Sequence, residues 1–255
     1  IGAAFGFGFT VGPFIGGELS VHGLAAPIWF AAGLAALNFV LALAWLKETR
    51  KPDTVRPERS IHPAAFLRVA KHPVVGLCIV LTFVMTIAFA IMESSFTLFA
   101  EHVRDLDARM VGRMFGVAGL TMIVVQGGII GRLVKRFGEA ALVPVGIGLL
   151  SLSLFILPFA APVVPMTAIF MLMAVGQGIA SPSLHSLISR GTSADEQGFV
   201  LGTNQSMSAL ARAIGPSLAG FIYLGAPAWP FYASAAILAA AVPLSMKAVR
   251  TNPQA

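Results

Sequence analysis

Glu93 is the one acid deep inside a long apolar run of this 255-residue sequence. Thr82, Thr86 and Thr97 fall with it inside roughly a 60° sector at helical spacing. An ionised carboxylate is costly in apolar surroundings, so it takes up a proton readily there and can carry one. A structural hydrogen bond, or a hydrated place near a surface, is the competing reading. A second group centres on Arg212, with Ser208 and Asn204 one and two turns earlier on the same helix face. A guanidinium in such a run needs a carboxylate, an anionic ligand or water. It can pair with Glu93, receive an anionic substrate group, or sit near the outer interface. Gln126, Gln177, Ser181 and His185 extend the polar set, as helix-to-helix hydrogen bonds or as cavity lining. His185 alone among them is of a type that titrates near neutrality.

These residues do not make a catalyst. No serine, histidine and acid cluster, metal-ligand spacing or phosphate-binding glycine loop with lysine is present. Cys78 is the single cysteine, so neither a disulfide framework nor a metal cluster is expected. The chain is read as no enzyme, with no cofactor and no metal.

Composition explains what must position the polar residues. Hydrophobic residues make up 57% of the chain and charged residues 11%, and the mean hydropathy is +0.85. A soluble globule needs a more polar exterior, so soluble enzymes, nucleic-acid binders and disordered chains are excluded. Eight apolar stretches reach the roughly 20 residues that cross a bilayer as a helix. They are Gly2–Val21, Pro27–Leu46, Val74–Phe99, Val111–Leu133, Ala140–Phe159, Val163–Ile188, Gln197–Leu224 and Pro227–Met246. Asp107 is expected to cap the fourth span. Ser193 with Glu196 gives a capping-box pattern at the seventh. Pro27, Pro73 and Pro227 open the second, third and eighth.

Loop charge orients the spans. Lys47–His72 carries Lys47, Arg50, Lys51, Arg56, Arg59, Arg68 and Lys71. Arg132, Lys135 and Arg136 follow the fourth span, and Lys247 and Arg250 the eighth. The alternate connections are poor in Lys and Arg, so the basic side is expected to be cytoplasmic. Within the long linker, Ala64–Ala70 is either a short surface helix or an ordinary loop. The spans richest in strong polar groups, the third, fourth, sixth and seventh, should face a cavity. The second, fifth and eighth should face lipid.

Part of the sequence repeats. Ala26-Pro27-Ile28-Trp29 returns as Ala226-Pro227-Ala228-Trp229, and Gly12-Pro13 with Gly16 returns as Gly215-Pro216 with Gly220. The first two spans read as an earlier copy of the last two, a pattern of secondary transporters. On this logic the chain is expected to be a fragment lacking four earlier spans of twelve. Residues 1–46 would end one six-helix half, 47–72 link the halves, and 73–255 form the second half.

The first span is dense in glycine, which lets helices approach closely and slide. Its Gly8-Phe9-Thr10-Val11-Gly12-Pro13-Phe14-Ile15-Gly16-Gly17 resembles the fifth-helix antiporter motif of the twelve-helix drug/proton antiporters of the major facilitator superfamily. Gly2-Ala3-Ala4-Phe5-Gly6 is similar to the tetracycline/proton antiporters. Gly131-Arg132-Leu133-Val134-Lys135-Arg136-Phe137-Gly138 resembles the superfamily loop motif G-x-L-x-D-R-x-G, with Lys135 where that motif has Asp. The resemblance implies an all-α membrane bundle covering helices five to twelve. It also implies proton-coupled efflux of small, largely apolar drugs by alternating access, driven by the proton gradient. Glu93, Arg212, Asn204, Gln126 and Gln177 are the candidates for coupling or substrate contact. Gly8, Gly12, Pro13, Gly16 and Gly17 are the candidates for helix packing, and Gly131, Arg132, Arg136 and Gly138 for the cytoplasmic loop. The expected partners are a small-molecule substrate, protons and the lipid bilayer of the inner (plasma) membrane, with no nucleic acid, and the chain is expected to act as a monomer. An importer or symporter of a small metabolite, and a non-transporting receptor or scaffold, remain as alternatives.

Overall fold

Long apolar runs in lipid must satisfy their own backbone N–H and C=O groups, and a helix does so within one segment. The computed structural model describes residues 2–23, 25–45, 73–161, 163–193 and 195–251, and among these it has eight long helices and no strand. They are α1 (Gly2–Leu19), α2 (Ala26–Trp45), α3 (Pro73–Arg104) and α4 (Ala108–Phe137). There follow α5 (Glu139–Ile156), α6 (Val163–Arg190), α7 (Gln197–Tyr223) and α8 (Trp229–Thr251). Each lies over one expected span, in order. Among the described residues six are long and apolar enough to cross a membrane, namely α2 to α6 and α8. The glycines and Glu18 lower the hydropathy of α1. Asn204, Gln205, Ser206, Ser208 and Arg212 lower that of α7. The linker Lys47–His72, with its Ala64–Ala70 segment, lies outside the described residues.

Two helix starts behave differently from each other. Asp107 caps α4 as expected, its Oδ1 accepting from the Met110 N–H at 2.7 Å. The expected capping box at α7 does not form. The Ser193 hydroxyl donates to the Glu196 carboxylate at 3.2 Å, and α7 begins only at Gln197 with no side-chain cap. Pro73 is the first residue of α3, whereas Pro227 lies in the turn before α8. Helix α4 also runs further than its apolar pattern. It passes through a π turn at Val125–Ile129 and continues over Ile130–Phe137, so Arg132, Lys135 and Arg136 stand on its last turns rather than in a loop. Gly138, at φ 76°, makes the break that a side chain would strain.

Helix α3 is the hub, packed on α6, α7 and α8, while α5 lies against α6 and α8, and α4 against α1 and α6. Small residues set several of these distances. A Cβ on Gly146 of α5 would come within 2.7 Å of Gly176 O on α6, and one on Gly176 within 2.8 Å of Gly146 O. Such close approach is how helices associate where lipid supplies no hydrophobic drive. Phe96, Phe115 and Phe170 join α3, α4 and α6, with ring centroids 4.5 to 6.0 Å apart. Phe99 and Phe231 join α3 to α8 at 5.1 Å. Helix α2 meets α1 at few points and buries none of its residues. Helices α5 and α8 bury one side in the bundle and expose apolar groups such as Val145, Phe155, Ile237 and Leu244 on the other.

Candidate functional site

The polar stripe of α3 splits along its length. Thr82 is buried, and its hydroxyl donates to Cys78 O, while Thr86 donates to Thr82 O. These threonines are satisfied by their own helix. Glu93 and Thr97, further along, are exposed. Glu93 lies six residues before Phe99, where the apolar run of α3 ends, about 9 Å along the axis at 1.5 Å per residue. That depth is about a third of a hydrocarbon core of about 30 Å.

Helix α7 brings Arg212 to the same flank. Its charge acts on Glu93. The helices meet closely here, since a Cβ on Gly215 would lie 2.5 Å from Ala90 Cβ. Ala90 is three residues before Glu93, and Gly215 three after Arg212. Helices α3 and α7 run in the same direction, so the two charges lie on opposite sides of this small pair, about 9 Å apart along the axis.

Asn204, Ser208 and Arg212 do not share one environment. Asn204 and Ser208 are buried, whereas Arg212 is exposed. Steps of four residues drift by about 40° each, so eight residues carry Arg212 about 80° out of the buried stripe. The Ser208 hydroxyl donates to Asn204 O, and Asn204 Nδ2 lies 3.5 Å from His185 Nε2 on α6. Gln177 lies on α6. It borders a small apolar cavity with Met85, Phe89, Met92, Leu150, Met173 and others, and its Oε1 is buried without a hydrogen-bond partner. Gln126 is half-buried in the π turn of α4, next to Gly127 and Gly128, where added side chains would meet nothing within 4 Å. Such turns loosen the regular helix bonding and are frequent at functional sites.

The glycine motif of α1 has two faces. Pro13 and Gly17 touch α4: a Cβ on Gly17 would lie 2.9 Å from Ala108 O, and one on Gly112 would lie 2.5 Å from Pro13 O. Gly8, Gly12 and Gly16 point elsewhere, and a methyl group added at any of them would meet nothing within 4 Å. The expected packing role thus falls to Pro13 and Gly17, and it does not fall to Gly8, Gly12 or Gly16 among the described contacts. Residues 8, 12 and 16 form one i, i+4 row, and 13 and 17 the adjacent row, so a single helix neighbour engages only one of them. The contact is closed at its end by charge. Glu18 accepts from Arg109 Nε at 2.6 Å and from Arg113 Nε at 2.7 Å.

In the motif that ends α4, Arg132 donates to Gly128 O at 3.3 Å, and Arg136 lies over the Phe137 ring at 5.3 Å. Gly131 meets nothing within 4 Å, and Gly138 forms the break. The residue that ties this region to the bundle is Glu139, unremarked in the sequence. It accepts from the Ser186 hydroxyl at 2.7 Å and pairs with Arg190 at 3.0 Å, joining α5 to α6. No periodicity announces that pair. Gly112, by contrast, stands in the row Ala108, Gly112, Gly116, a small-residue pattern visible in the sequence.

Comparison with known proteins adds to this geometry. The family model described as Major Facilitator Superfamily matches residues 1–216 and, separately, 127–255. The chain belongs to the Major Facilitator Superfamily. Within it, the chain is 32% identical over 227 residues to the tetracycline resistance protein, class E, of Escherichia coli, covering 88% of this chain and 56% of that protein. It is 24% identical over 228 residues to multidrug resistance protein 2 of Bacillus subtilis, again covering 88% and 56%. The crystal structure of the human organic anion transporter MFSD10 (TETRAN) matches with a TM-score of 0.73 at 26% identity, covering 96% of this chain and 62% of that one. The chain therefore spans a little over half the length of these curated relatives. As a superfamily member it is a multi-pass membrane chain of a transporter family, not of an enzyme family.

Proposed function

We propose that this chain is part of a proton-coupled secondary transporter that exports small, largely apolar drugs by alternating access. The observation that carries the reading is Glu93, an exposed carboxylate about 9 Å inside the apolar run of α3, with the charge of Arg212 acting on it. A carboxylate at that depth exchanges a proton far more cheaply than it stays ionised in lipid. The relatives named for tetracycline and multidrug resistance support the efflux direction. In this reading Lys47–His72 and the C-terminal end lie on the cytoplasmic face of the plasma membrane, because positive charge concentrates there. Residues 1–46 close one half, and 73–255 form the other, with α1 against α4 as a contact between the halves. No cofactor beyond the proton gradient is involved, and the transporter works as a monomer.

Substrate-induced proton release from the purified full-length protein tests the role of Glu93. Glu93→Gln keeps shape and hydrogen bonding but cannot ionise, so release should vanish while substrate still binds. Equal release by both proteins would remove Glu93 from the mechanism. A second reading, transport of a small anion, is favoured by exposed Arg212 on the same flank. Uptake or efflux of organic anions that is lost in Arg212→Gln, with drug susceptibility unchanged, would establish it instead.

A further inference from the structure

Helices α6 and α7 meet at few points. Among the described residues, side-chain hydrogen bonds join them at two levels. At the first, Gln197 Nε2 donates to Ser189 O at 3.3 Å and to Ser189 Oγ at 3.4 Å. At the second, Asn204 Nδ2 faces His185 Nε2 at 3.5 Å. The other ring nitrogen decides which tautomer is present. His185 Nδ1 lies 2.8 Å from Ser181 O. A carbonyl oxygen only accepts, so Nδ1 carries the hydrogen and Nε2 of the neutral ring offers a lone pair. Asn204 donates to that lone pair. Asn204 is 1% exposed, and its Oδ1 is buried with no hydrogen-bond partner. Buried acceptors are nearly always satisfied, so an idle one beside a titratable ring asks for a reason. The ring itself is exposed, so a proton from water can reach it.

We propose that His185 and Asn204 form a second proton-binding site, in which Asn204 reads the charge of the ring and ties α7 to α6. A hydronium ion gives its proton to the Nε2 lone pair: its O–H bond breaks, an N–H bond forms, water leaves and the ring becomes a cation. Nε2 is then a donor. The Asn204 amide makes a half-turn about its Cβ–Cγ bond and presents Oδ1. The long neutral contact becomes a charge-assisted hydrogen bond, shorter and stronger than a neutral one. Loss of the proton reverses each step. The surrounding charges leave the ring to this partner. On α6 itself Arg190 is held by Glu139 of α5, which also takes the Ser186 hydroxyl. The last turns of α4, which touch α6, carry Arg132, Lys135 and Arg136, and α7 is flanked by Glu196 and carries Arg212 two turns past Asn204. Among the described residues the hydrogen-bond partners of the His185 ring are Ser181 O and Asn204. In the orientation proposed above the site lies toward the cytoplasmic ends of α6 and α7, so a bound proton draws those ends together. The inference rests on that orientation for its meaning in transport, but not on Glu93.

Selective 15N labelling of histidine and asparagine in the full-length protein gives the test. The ring nitrogens report which of them holds hydrogen, and the Asn204 side-chain amide reports its bond. His185→Gln and Asn204→Leu, the latter close in volume, assign the signals. As the solution is acidified, the ring should pass from one protonated nitrogen to two, and the Asn204 amide should shift with the same midpoint. In Glu93→Gln the coupled shift should persist, so failure of the Glu93 mechanism and failure of this site are separate results. An Asn204 amide that stays fixed while His185 titrates, or a ring that never gains the second proton, would overturn the proposal.

Discussion

Gly112→Ala is the smallest change that should part α1 from α4. The added Cβ would stand 2.5 Å from Pro13 O and 3.0 Å from Gly17 Cα. Both neighbours are backbone atoms, so no side chain can swing away. Ordinary contact needs close to another ångström, and the helices must separate along the whole Pro13–Gly17 row to provide it. Overpacking of this kind costs about 1–3 kcal/mol. For a domain of this size each kcal/mol lowers the unfolding midpoint by roughly 2–4 °C. The expected loss is therefore several degrees, read as the temperature at which detergent-solubilised full-length protein leaves its monodisperse peak. Gly12→Ala is the internal control, because its methyl meets nothing within 4 Å. The ion pairs of Glu18 cannot substitute for the lost contact, since both arginines are substantially exposed and screened by solvent. Gly112→Ala as stable as the parent protein, with Gly12→Ala clearly weakened, would refute the assignment of the contact to the Pro13–Gly17 row.

Other consequences are open to the same kind of check. Gly215→Leu should separate α3 from α7 and abolish export, while Gly220→Leu, which meets no neighbour within 4 Å, should export normally; drug susceptibility of cells carrying each variant reads the difference. Phe170→Ala removes the ring shared by Phe96 and Phe115 and should cost about 3–5 kcal/mol, seen as a large fall in the same thermal assay. Glu139→Gln should weaken the α5–α6 junction modestly, because the released Arg190 is mostly exposed and returns to water; a drop as large as that of Phe170→Ala would contradict this. A cysteine placed between Lys47 and His72 should resist impermeant thiol reagents in intact cells, and rapid labelling there would reverse the orientation.

Composition and run length alone determined that the chain is a helical membrane bundle. An apolar run of about 20 residues can satisfy its backbone in lipid only as a helix, whatever its neighbours do. Each helix lies over one expected span for that reason. The Asp107 cap was equally legible, being a bond between residues three apart. The Ser193 cap was not, because the Glu196 carboxylate took the hydroxyl and the helix started later.

Sequence also marked Glu93 and Arg212 as costly in a span, which follows from residue type. Their common flank came from the fold. It depends on Gly215 seating against Ala90, a contact between residues 125 positions apart in the chain. The row of α1 that meets α4 was likewise undecided by its glycines, since both rows are small and only the position of the neighbour selects Gly17 over Gly12. Asn204, Ser208 and Arg212 share a face in a local count of turns, yet the packing of the bundle buries two while leaving the third exposed. Local spacing fixes where a side chain points on its own helix. Which of those directions is filled by another helix, and which is left open for a proton or a substrate, is set by how the helices pack.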